Sequence, residues 1–405
     1  MPEDPEVAED AEVAEDTAWP EAQRAATAQG LRHQASVRQP LDVALGGVLT
    51  ASLKSLVDLP PFDTSAMDGW AVRGAGPWLL VGDTRAGELP TPLLDGQCVA
   101  ISTGAVAPPG SAIVRSETGR VEGGQLRVGD QAPSAGHDVR PRGEEVRAGE
   151  QILSVGQVLT PPAIGLAAAA GHDYVDVLRR PCVSVLVLGD ELAHSGIPAD
   201  GKLRDALAPQ LPGWIEAMGA TVVSVKHVAD SQLATEAALR AADADLVITT
   251  GGTARGPADH VRNAFGALEG QWLVDGVAVR PGHPMKLGAL PDQRSLVALP
   301  GNPLAAVSGL VTLAWPLIDA QSGRSGHEQV MRPLATAVDS SPAAYRLVPG
   351  RMVDGSVVLT TRRGPAMLSG IAIADVLAVI PPGHTGAAGS PVQVIALPWG
   401  SGLLV

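Results

Sequence analysis

Carboxylates and glycines follow three apolar segments that the pattern predicts as buried strands, at residues 183–188, 246–250 and 296–299. The residues that follow are Gly189, Asp190 and Glu191 after the first segment, Gly251 and Gly252 with Asp259 further along after the second, and Pro300, Gly301, Asn302 and Pro303 after the third. Carboxylate oxygens are the ligands that Mg²⁺ prefers, and glycine allows close backbone approach to a ligand. We therefore predict that Asp190, Glu191 and Asp259 hold Mg²⁺ against a phosphate.

A second pattern, RPGHPMK at residues 280–286, predicts an anion site. The prolines on either side of Gly282 restrict the backbone, so that Arg280 and Lys286 can be fixed towards an oxyanion. Spacing alone leaves a surface turn with solvated bases as the alternative.

Alternating strands and helices must position these loops. Strands buried on both faces are predicted at residues 183–188, 221–225, 246–250 and 296–299, and helices at 203–218, 231–242, 260–268 and 304–318. This alternation is typical of a parallel sheet with right-handed crossovers. Ligands of such sheets bind at the carboxyl ends of the strands, where the three loops lie.

The rest of the chain changes character several times, and the pattern predicts five segments. These are a disordered acidic tail (1–18), a helical domain (19–56 plus 141–180), a small β-rich domain inserted into it (57–140), the α/β domain (181–325) and a C-terminal small β domain (326–405).

Composition excludes several classes of protein. The net charge is −14, and eight acids with no base lie in the first sixteen residues, so we expect neither nucleic acid nor an anionic membrane as a partner. Cys98 and Cys182 form no CxxC or Cys/His pattern, which argues against disulfides, structural zinc and iron–sulfur clusters. No signal peptide is predicted. The PGNP motif divides the uncharged run 295–318, leaving a helix of about fifteen residues, too short to span a membrane.

Seven motifs occur in a fixed order: PPFDTSAMDGWAVR (60–73), STGA (102–105), RPRGEE (140–145), GDEL (189–192), the TGG loop ending at Asp259, RPGHP (280–284) and PGNP (300–303). Over roughly residues 20–400 this set resembles the molybdopterin molybdenumtransferase family, of the MoeA and gephyrin E-domain type. The resemblance implies an α/β multi-domain, elongated subunit with a helical domain, an inserted β domain, a MogA/MoaB-like parallel-sheet domain and a C-terminal β-barrel-like domain.

The same resemblance implies a function. The family inserts molybdate into adenylylated molybdopterin with Mg²⁺ and releases AMP, which completes the molybdenum cofactor. We therefore expect a cytoplasmic homodimer, with other proteins of the cofactor pathway as further partners.

The resemblance also assigns site residues by position. Those that match catalytic residues are Asp68, Thr103, Glu191 and Asp259. Those that match substrate-binding residues are Arg140, Glu145, Asp230, Gly251, Gly252, Arg280, His283, Pro300, Gly301, Asn302, Pro303 and Ser369. Glu145 stands where the family usually has aspartate, and Arg280 where it usually has lysine. The basic partner of Ser369 is either Arg346 or Arg351.

Four departures bear on activity. His283 replaces the second lysine of KPGKP, Ala305 and Ala254 replace serines, and Ala206 and Leu207 replace the last two residues of a DSN motif. Each change removes a donor or weakens a charge, and an imidazole with an ordinary pKa of about 6.5 is mostly neutral at pH 7. The sequence thus leaves open a divergent enzyme or a molybdopterin-nucleotide-binding scaffold. A generic Mg²⁺-nucleotide protein is a third reading, although GxxxxGK[ST], GxGxxG and GxSxG motifs are missing.

Overall fold

A computed structural model describes residues 16–129, 132–253, 260–324, 330–384 and 386–399. The chain divides into two compact units. The α/β unit consists of the segment up to Ser36 together with the segment from Leu178 onward, and the inserted unit is Val37–Val177. The finer five-part division stays a prediction.

Within the described residues, the strands are β1 (Thr17–Ala18), β2 (Ser36–Pro40), β3 (Leu53–Lys54), β4 (Thr64–Ser65), β5 (Gly69–Val72), β6 (Trp78–Thr84), β7 (Gln97–Ile101), β8 (Ala112–Arg115), β9 (Gly119–Glu122), β10 (Gln125–Val128), β11 (Val139–Arg140), β12 (Gln151–Leu153), β13 (Tyr174–Leu178) and β14 (Cys182–Leu188). They continue with β15 (Leu192–Ala193), β16 (Leu203–Arg204), β17 (Thr221–Val228), β18 (Leu246–Thr250), β19 (Gln271–Asp275), β20 (Val277–Arg280), β21 (Lys286–Ala289), β22 (Ser295–Leu299), β23 (Val330–Pro333), β24 (Tyr345–Val353), β25 (Ser356–Leu359), β26 (Val376–Ile380) and β27 (Pro391–Ala396). The α-helices are α1 (Trp19–Leu31), α2 (Pro161–Ala169), α3 (Leu211–Ala217), α4 (Gln232–Arg240), α5 (His260–Ala267), α6 (Pro303–Gly309) and α7 (Trp315–Ser322).

The central sheet of the α/β unit has the strand order β17-β14-β18-β22-β21-β19. Its first four strands are parallel, as the sequence predicts, and β21 and β19 extend it as antiparallel strands. The four carboxyl ends of the parallel strands therefore lie along one edge of the sheet.

Both faces of β14, β18 and β22 are buried, which explains why these strands are apolar without alternation. The prediction that residues 221–225 are buried on both faces is wrong, because β17 is the edge strand of the sheet and is largely exposed. Val185 and Ile248 belong to the larger core, together with Trp19 and much of the 303–322 helix. Leu186 and Val247, one residue along from each, point to the opposite face and pack with Phe265 of α5.

Helix α6, a π-helical turn (Leu310–Ala314) and α7 run without a break from Pro303 to Ser322. The π turn is marked by the Trp315 N–H, which donates to the Leu310 carbonyl. It precedes Pro316, which has no N–H to continue the α-helical ladder. Helix α1 packs along α7 and approaches so closely that a Cβ on Gly30 would lie 2.3 Å from the Leu317 carbonyl oxygen.

The 303–322 helix corrects one prediction. It has 20 residues rather than fifteen, and among the described residues it is the one segment long and apolar enough to cross a membrane. In its most apolar window, 89% of the residues are buried inside the protein, as in the core helix of a globular domain. The helix is thus long enough to span a membrane, and its burial inside the protein accounts for its apolar sequence.

Beyond residue 330, β24, β26, β27 and β23 form an antiparallel sheet, with β25 on β24. Strands β20 and β1 extend the same sheet through the parallel pairing of β20 with β24. This pairing joins the RPGHP motif to the terminal strands.

The inserted unit holds a six-stranded sheet, in the order β8-β5-β7-β6-β10-β9, in the segment predicted to be β-rich. Next to it, residues 37–56 and 146–178 form the short strand pairs β2–β13 and β3–β12, with α2 as the one α-helix that the structure describes there. The prediction that residues 19–56 and 141–180 are helical is therefore wrong outside α1 and α2. In the first segment, Pro40 and the Gly46-Gly47 pair interrupt helix formation.

The predicted helix over residues 203–218 is also too long. Leu203–Arg204 is strand β16, and α3 begins only at Leu211. Between them, Asp205 Oδ1 accepts hydrogen bonds from the N–H groups of Leu207 and Ala208. This side chain competes with helix formation, as aspartate often does.

Candidate active site

Three loops that the sequence places at strand ends are in contact in the α/β unit. The Gly251 N–H donates to the Leu299 carbonyl at 3.0 Å. A Cβ on Gly251 would lie 3.0 Å from the Leu188 carbonyl oxygen, and a Cβ on Gly301 would lie 3.6 Å from the Cα of Gly251. Gly251 and Gly252 also have positive φ values of 80° and 66°, which side chains disfavour. Glycine is therefore required for the close approach of these loops.

Carboxylates gather at the same edge, at the ends of β14 and β17. Asp190 Oδ1 accepts a hydrogen bond from the Asp230 N–H at 3.2 Å. A Cβ on Gly189 would lie 2.8 Å from Oε2 of Glu191, so the Glu191 carboxylate folds back over that glycine. Asp230 Oδ1 is 4.0 Å from Nε2 of His260, the first residue of α5. Asp190, Glu191 and Asp230 are all exposed and define the acidic edge.

Asp259, predicted to be catalytic and a metal ligand, lies outside the described residues, as does Ala254. The described part of the predicted Mg²⁺ set is thus Asp190 with Glu191. Asp230 joins them through its backbone N–H, which the sequence does not reveal.

The PGNP turn (residues 300–303) borders a cavity of about 760 Å³. Four basic side chains line it: Arg280, His283, Arg346 and Arg363. Arg280 and Arg346 are brought together because they pair in register across β20 and β24. Pro300 and Asn302 also line the cavity, so the PGNP turn forms part of the wall of this basic cavity.

Helix α6 begins at the PGNP turn, but its first N–H groups are not open to an anion. The N–H groups of Leu304 and Ala305 donate to the Pro365 carbonyl at 2.9 and 3.3 Å. The positive charge of this cavity therefore comes from side chains rather than from the helix terminus.

Lys286 does not reach the cavity, which corrects the expectation that it faces an oxyanion together with Arg280. It is 1% exposed, and its Nζ lies 2.6 Å from Oδ1 of Asp275, its partner in register across β21 and β19. Arg262 binds the same carboxylate at 2.8 Å. Burial acts to raise the pKa of Asp275, but the hydrogen bonds from Arg262 and Lys286 outweigh it and hold the pKa below its usual value.

Ser369 lines a separate hollow of about 400 Å³ with Arg351, Arg362 and Thr360. Of the two basic partners considered for Ser369, Arg351 shares this hollow, whereas Arg346 lines the basic cavity. The structure does not bring Ser369 into the basic cavity.

The remaining predicted residues belong to the inserted unit. Asp68 Oδ1 accepts a hydrogen bond from the Thr103 N–H at 2.8 Å, so the SAMDG and STGA motifs adjoin. Arg140 pairs with Thr64 across β11 and β4, and the Glu145 N–H donates to the Leu59 carbonyl at 2.9 Å. The STGA and RPRGEE motifs therefore both contact the segment of residues 59–68. The side chains of Asp68, Thr103, Arg140 and Glu145 are exposed, and we call these four residues the exposed strip.

The sequence pattern does not predict two residues that contribute to these sites, Asp58 and Arg363. Asp58 binds Arg142 and accepts the Ala148 N–H, which anchors the RPRGEE loop. Arg363 lines the basic cavity 83 positions after Arg280 in the chain. No spacing signal links residues that come from separate elements in this way.

Known proteins match nearly the whole chain. Family models match as the "MoeA N-terminal region (domain I and II)" over residues 17–171, a "probable molybdopterin binding domain" over 184–320 and the "MoeA C-terminal region (domain IV)" over 332–397. A crystal structure of the molybdopterin biosynthesis MoeA protein from Pyrococcus horikoshii has a TM-score of 0.78 at 23% identity, covering 95% of this chain and 99% of that one. This similarity confirms the fold.

Curated relatives are closer in sequence. Molybdopterin molybdenumtransferase 2 of Mycobacterium tuberculosis is 34% identical over 361 residues, covering 84% of this chain and 88% of the relative. Molybdopterin molybdenumtransferase of Synechococcus elongatus is 32% identical over 382 residues, covering 89% and 94%. The chain belongs to the molybdopterin molybdenumtransferase family.

Proposed function

We propose that the protein catalyses the Mg²⁺-dependent insertion of molybdate into adenylylated molybdopterin, with release of AMP. The observation that carries this proposal is that the PGNP turn contacts the other strand-end loops through Gly251 and also lines the basic cavity. The carboxylates of the acidic edge suit a diphosphate that carries a magnesium ion, and the basic cavity suits a small oxyanion.

The residues of the acidic edge fit Mg²⁺. Asp190 and Glu191 offer exposed carboxylate oxygens, which are hard donors, and one oxygen of Asp190 is already oriented by the Asp230 N–H. We assign these two residues to the ion, together with Asp259. When bound, the ion neutralises charge on the phosphate oxygens.

The remaining groups bind and orient. Gly251 and Gly252 let the backbone approach the nucleotide, while Arg280, Arg346 and Arg363 attract molybdate into the basic cavity. His283 adds a hydrogen-bonding group in place of a fixed charge. Binding both substrates in fixed positions replaces a random encounter by an oriented one, which is a large source of rate enhancement.

We assign a positioning role to the exposed strip of the inserted unit as well. The Thr103 N–H fixes the Asp68 carboxylate, so that this group can accept a hydrogen bond from substrate without a loss of side-chain freedom. Arg140 offers a cation and Glu145 a carboxylate on the same strip.

Replacing Glu191 tests the proposal. The Glu191→Gln variant keeps the size of the side chain and removes its charge, so we expect the rate of AMP release from adenylylated molybdopterin and molybdate to fall by about 100-fold or more. Molybdenum cofactor formed in the same samples is measured by activation of a cofactor-free molybdoenzyme.

Glu122→Gln, on an exposed strand of the inserted unit, is the matched control and should keep full activity. Equal turnover of the Glu191→Gln variant and the wild type would contradict the assignment of the acidic edge.

A scaffold that binds the nucleotide without inserting molybdenum is the alternative. It is favoured by His283 in the basic cavity and by the engagement of the α6 N–H groups with Pro365. Complementation of a transferase-deficient bacterium over a range of molybdate concentrations separates the two. Rescue, even if only at high molybdate, supports the enzyme, whereas nucleotide binding in calorimetry with no rescue supports the scaffold.

The homodimer, the cytoplasmic location and the pathway partners implied by the resemblance remain predictions. Sedimentation of the purified chain tests the dimer directly.

A further inference from the structure

Two histidines and an aspartate lie together in the α/β unit, outside the groups assigned above. Strands β15 and β16 pair in parallel, Leu192 with Leu203 and Ala193 with Arg204, and the Asp205 N–H donates to the Ala193 carbonyl at 3.0 Å. His194 and Asp205 therefore leave this strand pair side by side. His227 comes from β17, the edge strand of the central sheet.

The side chains converge on one point. His227 Nε2 is 3.0 Å from Asp205 Oδ2, and the rings of His194 and His227 have their centroids 3.6 Å apart, with an angle of 44° between their planes. One ligand atom from each of the three residues lies within 4.8 Å of the other two. Ligands bonded to one zinc ion at about 2.1 Å are roughly 3 to 3.5 Å apart, so binding an ion requires the exposed His194 ring to turn towards the other two ligands.

Asp205 is held ready for this role. Its side chain is 3% exposed, and its Oδ1 atom accepts the N–H groups of Leu207 and Ala208 at 2.9 and 3.1 Å. These bonds fix the carboxylate, so Oδ2 stays directed at His227. Backbone groups that orient a carboxylate in this way are typical of the surroundings of metal ligands.

We propose that His194, Asp205 and His227 bind one divalent transition-metal ion of the Zn²⁺ type. Imidazole nitrogens favour zinc, cobalt and nickel, whereas the oxygen-only acidic edge favours Mg²⁺, so the two sites differ in ligand chemistry. Three protein ligands leave at least one coordination position for water or a small anion.

The position of the cluster gives the ion a structural consequence. Glu191 lies three residues before His194, and Asp230 lies three residues after His227. An ion bound to both histidines ties the loop after β14 to the end of β17. It thereby restrains two segments that carry the carboxylates of the acidic edge.

Metal titration of the full chain tests this proposal without any measurement of turnover. After treatment with EDTA and its removal, the protein is titrated with Co²⁺, whose visible absorption reports nitrogen coordination, and with Zn²⁺ by calorimetry. We expect one ion per chain. In His194→Ala and His227→Gln the affinity should fall by at least about tenfold, because each variant lacks one of the three ligands.

Two controls separate this site from other sources of metal binding. His172→Ala removes a histidine of the inserted unit, whose ring contacts the Lys54 carbonyl, and should leave Zn²⁺ affinity unchanged. Glu191→Gln removes a ligand of the proposed Mg²⁺ site and should also leave the Zn²⁺ affinity unchanged. Failure of the proposed function would not affect either result.

Asp205 is not substituted, because the backbone near Leu207 depends on it. Thermal unfolding of the metal-free histidine variants, compared with metal-free wild type, verifies that they fold. Equal Zn²⁺ affinity and stoichiometry in wild type and in the folded His194→Ala/His227→Gln double variant would overturn the proposal, as would the lack of a nitrogen-type Co²⁺ spectrum in wild type.

Discussion

At the scale of single residues, the charged groups of the site divide into those that the fold uses and those that face a cavity. Lys286 and Arg262 share the Asp275 carboxylate, so their charges stabilise the packing of β19 and β21. Arg280 and Arg363 line the basic cavity instead. Two basic residues of one sequence pattern, Arg280 and Lys286, therefore have different surroundings, and only Arg280 lines the cavity.

A substitution at His283 tests the proposed binding of molybdate in the basic cavity. It lines the basic cavity where the family usually has lysine, and a lysine side chain carries a full charge at pH 7. We expect His283→Lys to lower the KM for molybdate by roughly tenfold, the effect of one hydrogen bond to a charged group.

Initial rates over a series of molybdate concentrations measure this KM. His172→Lys, which adds the same charge to the inserted unit, should not change it. An unchanged KM in His283→Lys would remove this position from the molybdate site.

At the scale of elements, the acidic edge depends on how tightly the strand ends of the central sheet approach each other. Gly251 has a φ of 80°, and a Cβ at this position would lie only 3.0 Å from the Leu188 carbonyl oxygen. We expect Gly251→Ala to lower the free energy of unfolding by about 1 to 2 kcal/mol, the cost of a left-handed backbone at a residue with a Cβ. Urea unfolding, followed by circular dichroism, measures the loss.

Gly266→Ala is the control for this change. Gly266 lies on the exposed side of α5, has open space at the Cβ position and has no positive φ. Alanine there should leave stability unchanged or raise it, by up to about 1 kcal/mol. Equal losses in both variants would show that the strand-end geometry is not the cause.

Helix α7 carries a buried acid with a pH-dependent effect on stability. Burial raises the pKa of Asp319 from 3.8 to about 7, against the opposing effects of Arg324 and a hydrogen bond from Trp315. Between these two values the folded chain holds a proton that the unfolded chain has lost, so stability falls as the pH rises from about 4 to about 7. The shift corresponds to a loss on the order of 4 kcal/mol.

Asp319→Asn removes this titration. We expect the variant to be more stable than wild type at pH 8, and the difference to shrink towards pH 4. Urea unfolding at several pH values gives the two curves, and Asp42→Asn, at an exposed position, should follow wild type. Parallel curves for Asp319→Asn and wild type would contradict the raised pKa.

At the scale of the whole molecule, the sequence predicts the parts of the fold that depend on local pattern. The strands β14, β18 and β22 lie within a residue of their predicted bounds, because continuous apolar runs between turn residues permit few alternatives. Residues 37–56 belong to the segment predicted to be helical, but the structure has short strands there. Pairing with distant strands such as β12 and β13 decides their structure, and that pairing leaves no local signal.

The residues of the candidate site also fall into those that local pattern predicts and those that it does not. Motif residues such as Glu191 and Gly251 are predictable, since each lies at the end of a recognisable strand. Arg363 in the basic cavity and the cluster of His194 with His227 are not, because sheet topology and strand register bring them together from distant parts of the chain. Motifs identify the strand ends, and only the fold shows which side chains share a cavity.

The most direct test of the proposed function follows both products in one reaction. Purified wild-type chain is mixed with adenylylated molybdopterin, Mg²⁺ and excess molybdate, and AMP and active molybdenum cofactor are measured over time. The account predicts equal amounts of AMP and cofactor, both dependent on molybdate. Tight binding of the nucleotide with neither product formed, at any molybdate concentration, would contradict it.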